Sequence, residues 1–271
     1  MMEQNRMVLS ESFSTSSAEI VGNSHMSVFS AMFRNEWIKQ AKRGKTWVFA
    51  GIAALVPLAL SVLQRLLLPG QSVLTREDVL VSSLHLLAPL VLPLMVAALA
   101  IDAFSDEISK GGIRSTLFLP AGRAVVYWAK ALAVLAGGGV LFGAMWGMTL
   151  IAGLFLPGRS PLLSWIGADL TTAIAALAPA SVVVTLVMML SQWLKSAGGI
   201  LVTLVIGSIA VNLLPLLVKG IGPVLPTTWM GFGSSVHTMS PAGALSALAV
   251  LAAWAVLFAM AGWLRFEKRS F

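Results

Sequence analysis

Six times along this chain a nearly unbroken apolar run reaches the length needed to cross a lipid bilayer. A helix rising about 1.5 Å per residue needs about 20 apolar residues to traverse a hydrocarbon core of about 30 Å. The runs are Trp47–Leu68, Leu80–Ile101, Ala124–Leu156, Leu162–Leu194, Gly198–Val218 and Gly243–Leu264. Arg65 and the Pro69-Gly70 pair end the first, and the second carries Pro89 and Pro93. The third and fourth exceed one span, so each extends into the interface or tilts. The expected fold is an all-α polytopic membrane protein of six transmembrane helices.

Composition agrees. Hydrophobic residues make up 58% of the 271 and charged residues only 11%, against roughly 25% charged in soluble domains. No water-soluble fold of this size hides that much apolar surface behind so little charge, which excludes a soluble enzyme and a disordered chain. The net charge of +7 is spread between apolar blocks, as loop charges are, and not gathered into a nucleic-acid surface. Without cysteine there are no disulfides or thiolate metal ligands, and no other metal site is expected.

Lys and Arg give the orientation. Of the 18, fourteen fall on the side of the N-terminus if the six runs alternate, from Arg6 and Arg34 to Arg265 and Arg269. Only Arg65, Arg76, Arg159 and Lys219 fall on the other. That bias places both termini in the cytoplasm. No internal repeat supports an inverted-repeat transporter. Residues 1–25 are polar, serine-rich and without an apolar signal core, so they are read as a disordered tail or extension and not a secretory signal.

Three segments outside the runs carry information. In residues 28–46, Phe29, Phe33 and Trp37 recur every four residues beside Val28 and Met32, with Arg34, Lys39, Lys42, Arg43 and Lys45 as cations. An aromatic stripe with basic flanks describes a helix lying in the membrane plane; a basic topology signal at a helical start is the plainer alternative. Residues 102–123 place Asp102, Asp106 and Glu107 before the Gly111-Gly112 pair, then Arg114, Pro120 and Arg123. An acidic helical end broken by glycines can dock into a partner's groove, or the segment simply links two spans. Residues 219–241, rich in Gly, Pro and Ser, make a continuous helix unfavourable, which on the residues alone reads as an outer loop.

These segments resemble the permease subunits of type-2 ATP-binding-cassette (ABC) exporters. The family carries an amphipathic N-terminal helix with an Asn-Glu pair, here Asn35-Glu36. After its second span comes Glu, three residues, Gly-Thr, a basic residue, then Leu, Pro and Arg. Glu107, Gly111, Arg114, Leu117, Pro120 and Arg123 match that order, and Lys130 opens the third span. Gly112 departs from the family's usual Thr. The resemblance spans residues 28–269. It implies that the 102–123 segment is a coupling helix seated on a separate ABC ATPase subunit. It also implies two permease chains, identical or different, around a central pathway in a plasma membrane, in particular a bacterial cytoplasmic membrane. ATP and Mg would be bound by the ATPase and no cofactor by this chain.

Other readings fit less well. Gly44-Lys45-Thr46 looks like the end of a phosphate-binding loop, but the glycine required five residues before Gly44 is Lys39. Ser234, Ser235 and His237 lack an orienting carboxylate nearby in sequence, and no zinc-protease or serine-hydrolase motif occurs, so no catalytic residues are assigned. Asp102, Asp169 and His85 fall near span ends, which argues against proton-coupled transport. A regulatory or scaffolding component of the same fold is the main alternative to an exporter. Within the spans, the glycine ridge of Gly139, Gly143 and Gly147 suits close helix packing inside the subunit or across a dimer. Asn212 suits interhelical bonding or cargo contact, and Met188 and Met189 suit an adaptable path or plain packing. A largely uncharged interior points to a hydrophobic or amphipathic cargo, such as an antimicrobial peptide, a drug or a lipid-linked compound.

Overall fold

The computed structural model describes residues 26–67, 74–109, 122–194 and 196–268, and every regular element among them is helical. In chain order these are α1 (residues 26–42), α2 (Gly44–Leu67), α3 (Arg76–Leu87), α4 (Val91–Ser109), α5 (Arg123–Gly153), α6 (Leu162–Ala175), α7 (Leu177–Leu190) and α8 (Ala197–Leu217). Two 3-10 turns (Gly222–Val224 and Pro226–Trp229), the one-turn α9 (Phe232–Ser235) and α10 (Pro241–Glu267) follow. Five helices are long and apolar enough to cross a membrane, with α6 and α7 counted as one; α3 and α4, taken as one bent span, make six.

The packing is inside-out relative to a soluble bundle. In α2 the buried positions are Thr46, Ala50, Ala53, Pro57, Ser61 and Gln64, while Trp47, Val48, Leu55 and Leu66 are exposed. Small residues let α2 close on α5, its principal neighbour. Large apolar side chains, which gain little by leaving lipid tails for other side chains, stay on the outside.

Breaks in the helices have local causes. α1 turns into α2 at Arg43, where the Thr46 hydroxyl donates to the Gln40 carbonyl at 3.0 Å and the Trp47 indole donates to the Ala41 carbonyl at 2.7 Å. α3 and α4 meet at 65° across residues 88–90, where Pro89 and Pro93 each remove a backbone donor. The run expected as one span over 80–101 is therefore two helices. α6 and α7 part at Ala176 because Pro179 cannot donate to the carbonyl one turn back.

Two close approaches fix the core. A Cβ at Gly262 of α10 would stand 2.5 Å from the Tyr127 hydroxyl and 3.1 Å from the Met189 Cα. Only hydrogen fits there, and it lets Tyr127 donate to the Ala259 carbonyl at 3.0 Å amid Phe104, Trp263 and Phe266. A Cβ at Gly233 would meet Ala176 at 2.9 Å, so the α9 turn lies hard against the α6–α7 break. The 219–241 region is thus a packed element of short turns, with Phe232, Gly233 and Ser234 buried.

Candidate functional site

At the end of the bundle that carries α1, ionic groups sit where the apolar helices begin. Met32, Glu36 and Gln40, four residues apart, form the buried face of α1. Glu36 is 4% exposed and Lys130, in the second turn of α5, is 2% exposed. The Lys130 ammonium donates to Glu36 Oε2 at 2.7 Å, and Lys39 donates to Oε1 at 2.7 Å. Burial works to raise the Glu36 pKa, but the two ammonium groups outweigh it and hold the carboxyl below its ordinary 4.5. A second pair, Lys45–Asp102 at 3.0 Å, ties the start of α2 to α4. Arg123, the first residue of α5, donates to the Glu267 carbonyl at 2.8 Å, a cation closing the C-terminal end of α10.

Several expectations change here. Val28, Phe29, Met32 and Phe33 pack against Val125, Val126 and Ala129, so much of the stripe read as membrane-facing is turned to α5. Lys39, read as facing headgroups, is held by Glu36; Trp37 and Arg43 are half-buried and Lys42 is exposed. Asp102 does not open a loop: α4 continues to Ser109, and the buried Asp102 carboxylate pairs with the more exposed Lys45. Asp106 and Glu107 lie on the last turns of that helix. Arg123 belongs to α5, while Gly111, Arg114 and Pro120 lie outside the described residues.

The second feature is a cavity of about 520 Å³ between the α3–α4 break, α7, α8 and α10. It exists because α8 barely touches the rest of the chain: Ile200 is the only one of its residues that is buried. Leu94, Leu186, Leu190, Trp254 and Phe258 give it apolar walls, and His85 and Asn212 border it. Asn212, one of the residues considered for cargo contact, is therefore at a cavity wall, its amide donating to the Ser208 carbonyl at 2.9 Å. Met188 is not on the wall: it is fully buried in the core, and the Met189 backbone backs Gly262. The glycines Gly139, Gly143 and Gly147 have nothing within 4 Å of where a Cβ would stand, so the ridge makes no close packing among the described residues. The close glycines of α5 are Gly153, where a Cβ would stand 2.5 Å from the Trp165 ring, and Gly137, against Gln40 and Leu99.

These features are partly legible in the residues. A lysine just inside an apolar span demands a partner, and Glu36 is the one acidic residue on α1; the pairing itself required the α1–α5 contact. The cavity needed the helix break, signalled by Pro89 and Pro93, together with the splayed α8, which no residue pattern announces.

Among known families, the ABC-2 family transporter proteins match residues 32–210, a stretch running from α1 through most of α8. No curated protein matches the chain with significance. With that match over well over half of its length, and with five to six helices fit to cross a membrane, the chain belongs to the ABC-2 transporter family as a multi-pass, permease-type membrane protein.

Proposed function

We propose that the chain is the permease subunit of an ABC exporter, moving a hydrophobic or amphipathic cargo outward across a bacterial cytoplasmic membrane. Two permease chains would pair, and ATP hydrolysis would occur on separate nucleotide-binding subunits. The observation that carries this reading is the ABC-2 family match over 32–210. Gly44-Lys45-Thr46 lies in the first turn of an apolar helix, with Lys45 engaged by Asp102, which is no setting for a phosphate cradle. The energy source is then a partner chain. The 102–123 segment, which begins at Asp102 of α4, the ion-pair partner of Lys45 at the start of α2, is the proposed contact with that chain.

The experiment is co-reconstitution. ATP turnover and accumulation of cargo in inside-out vesicles should both require this chain and its ATPase together. Robust turnover by the purified chain alone would reject the reading. Orientation is tested in the same cysteine-free background. Single cysteines at Ser109, Ser160 and the exposed Thr228 should meet an impermeant reagent from outside the cell only at the last two positions. External labelling at Ser109 would invert the topology.

A further inference from the structure

The cavity beside α8 has a definite chemistry. Among the described residues its lining contains no Asp, Glu, Lys or Arg, and His85 is the one titratable residue there. Two of its hydroxyls have used their donors and its amide one of two. The Thr203 hydroxyl donates to the Gly199 carbonyl at 2.8 Å, the Ser208 hydroxyl to the Val205 carbonyl at 2.9 Å, and one Asn212 amide hydrogen to the Ser208 carbonyl at 2.9 Å. What remains for an occupant is of both kinds: hydroxyl and Asn212 carbonyl lone pairs as acceptors, and the second Asn212 amide hydrogen, the Thr227 hydroxyl and the His85 ring for an occupant's own oxygen. Opposite them, Trp254 donates its indole N–H to the Val224 carbonyl at 2.8 Å and stands with Phe258 as a tilted ring pair, centroids 5.2 Å apart. That wall offers apolar surface. A volume of about 520 Å³ lies inside the roughly 300–1,000 Å³ of small-molecule sites.

We propose that this cavity binds one small uncharged amphiphile whose polar end both donates and accepts hydrogen bonds, an alcohol, polyol or primary amide on an alkyl or ring body. The described lining holds no lysine or arginine to balance a carboxylate and no acidic side chain to balance an ammonium ion, so either charged head would be desolvated without a counter-charge. A whole peptide exceeds the volume. The proposal rests on the permease reading and names the chemistry that such a subunit would accept.

The test uses full-length protein in nanodiscs of zwitterionic lipid with a diazirine-bearing dodecanol as photoprobe, adducts being mapped by peptide mass spectrometry. Competitors are dodecanol, dodecanoate at pH 8 and dodecyltrimethylammonium, compared at equal mole fraction in the bilayer. Adducts should fall on α8 and α10 at residues 203–214 and 254–258. Dodecanol should compete at least ~10-fold better than either charged analogue. Gly207 borders the cavity, and a Cβ there meets nothing within 4 Å. Gly207→Trp should therefore fill the space and abolish labelling, while Gly207→Ala keeps both labelling and fold. Labelling that ignores Gly207→Trp or excess dodecanol, or a charged analogue competing as well as the alcohol, would overturn the proposal. Transport measured on the same protein with its ATPase separates the two readings. Transport without cavity labelling rejects the cavity assignment alone, and labelling without transport rejects the permease reading alone.

Discussion

Removing one member of the Glu36–Lys130 pair should cost far more than removing both. The two groups meet at 2.7 Å with side-chain exposures of 4% and 2%, so neither can recover its hydration if the other is lost. Breaking a buried pair from one side costs about 3–5 kcal/mol, whereas replacing both members by apolar residues of similar volume is often neutral. Glu36 also holds Lys39, so Lys130→Met leaves the carboxylate a partner and should fall at the lower end, about 3 kcal/mol. Glu36→Gln takes the carboxylate from two lysines at once and should reach the upper end. The double variant Glu36→Met, Lys130→Met should come within about 1 kcal/mol of the parent. Denaturant unfolding in mixed micelles, followed by tryptophan fluorescence, reads all four corners of the cycle. Acid supplies a second reading. The folded-state pKa of Glu36 lies below its ordinary 4.5, so its stabilisation is complete above that value and is lost as pH falls through the folded-state value. Glu36→Gln should remove that acid limb. Single losses under about 0.5 kcal/mol, or single effects that simply add in the double variant, would show that the pair does not join α1 to α5.

The remaining predictions concern packing and coupling. Gly262→Ala should destabilise by about 1–3 kcal/mol through overpacking against Tyr127, whereas Gly139→Ala, which meets nothing within 4 Å, should be close to neutral in the isolated chain; thermal melts of both variants decide. Asp102→Asn should cost no more than about 1 kcal/mol in unfolding experiments, because its partner Lys45 is 62% exposed and water screens the pair. Glu107→Lys and Arg114→Glu should insert normally yet lose ATPase co-purification or cargo efflux, since like charges at a desolvated contact cost several kcal/mol. Full binding and full efflux in both variants would reduce the 102–123 segment to a connector.

What could be read from the residues divides along a physical line. Span positions were legible because lipid imposes a one-dimensional condition, an apolar run of sufficient length: the helices Gly44–Leu67, Ala197–Leu217 and Pro241–Glu267 lie within a few residues of the runs over 47–68, 198–218 and 243–264. Which way a span faces is a different matter. In water the apolar stripe marks the interior, but in lipid both faces of a helix are apolar and that signal vanishes. Only small or polar residues then mark the inside, as Thr46, Ala53, Ser61 and Gln64 do on α2. Glycine spacing misleads for the same reason: a ridge at Gly139, Gly143 and Gly147 shows only that an approach is possible, and close contacts fall at Gly153, Gly233 and Gly262 instead. Charge is a different case. Asp102 and Lys39 read as groups seeking water, yet each has an ion-pair partner within 3.0 Å, and in each pair the carboxylate is buried while the lysine keeps part of its exposure. The α1 end is therefore tied by ionic contacts: Glu36–Lys130 between α1 and α5, and Lys45–Asp102 between α2 and α4. α8, with Ile200 alone buried, has no such tie among its described contacts.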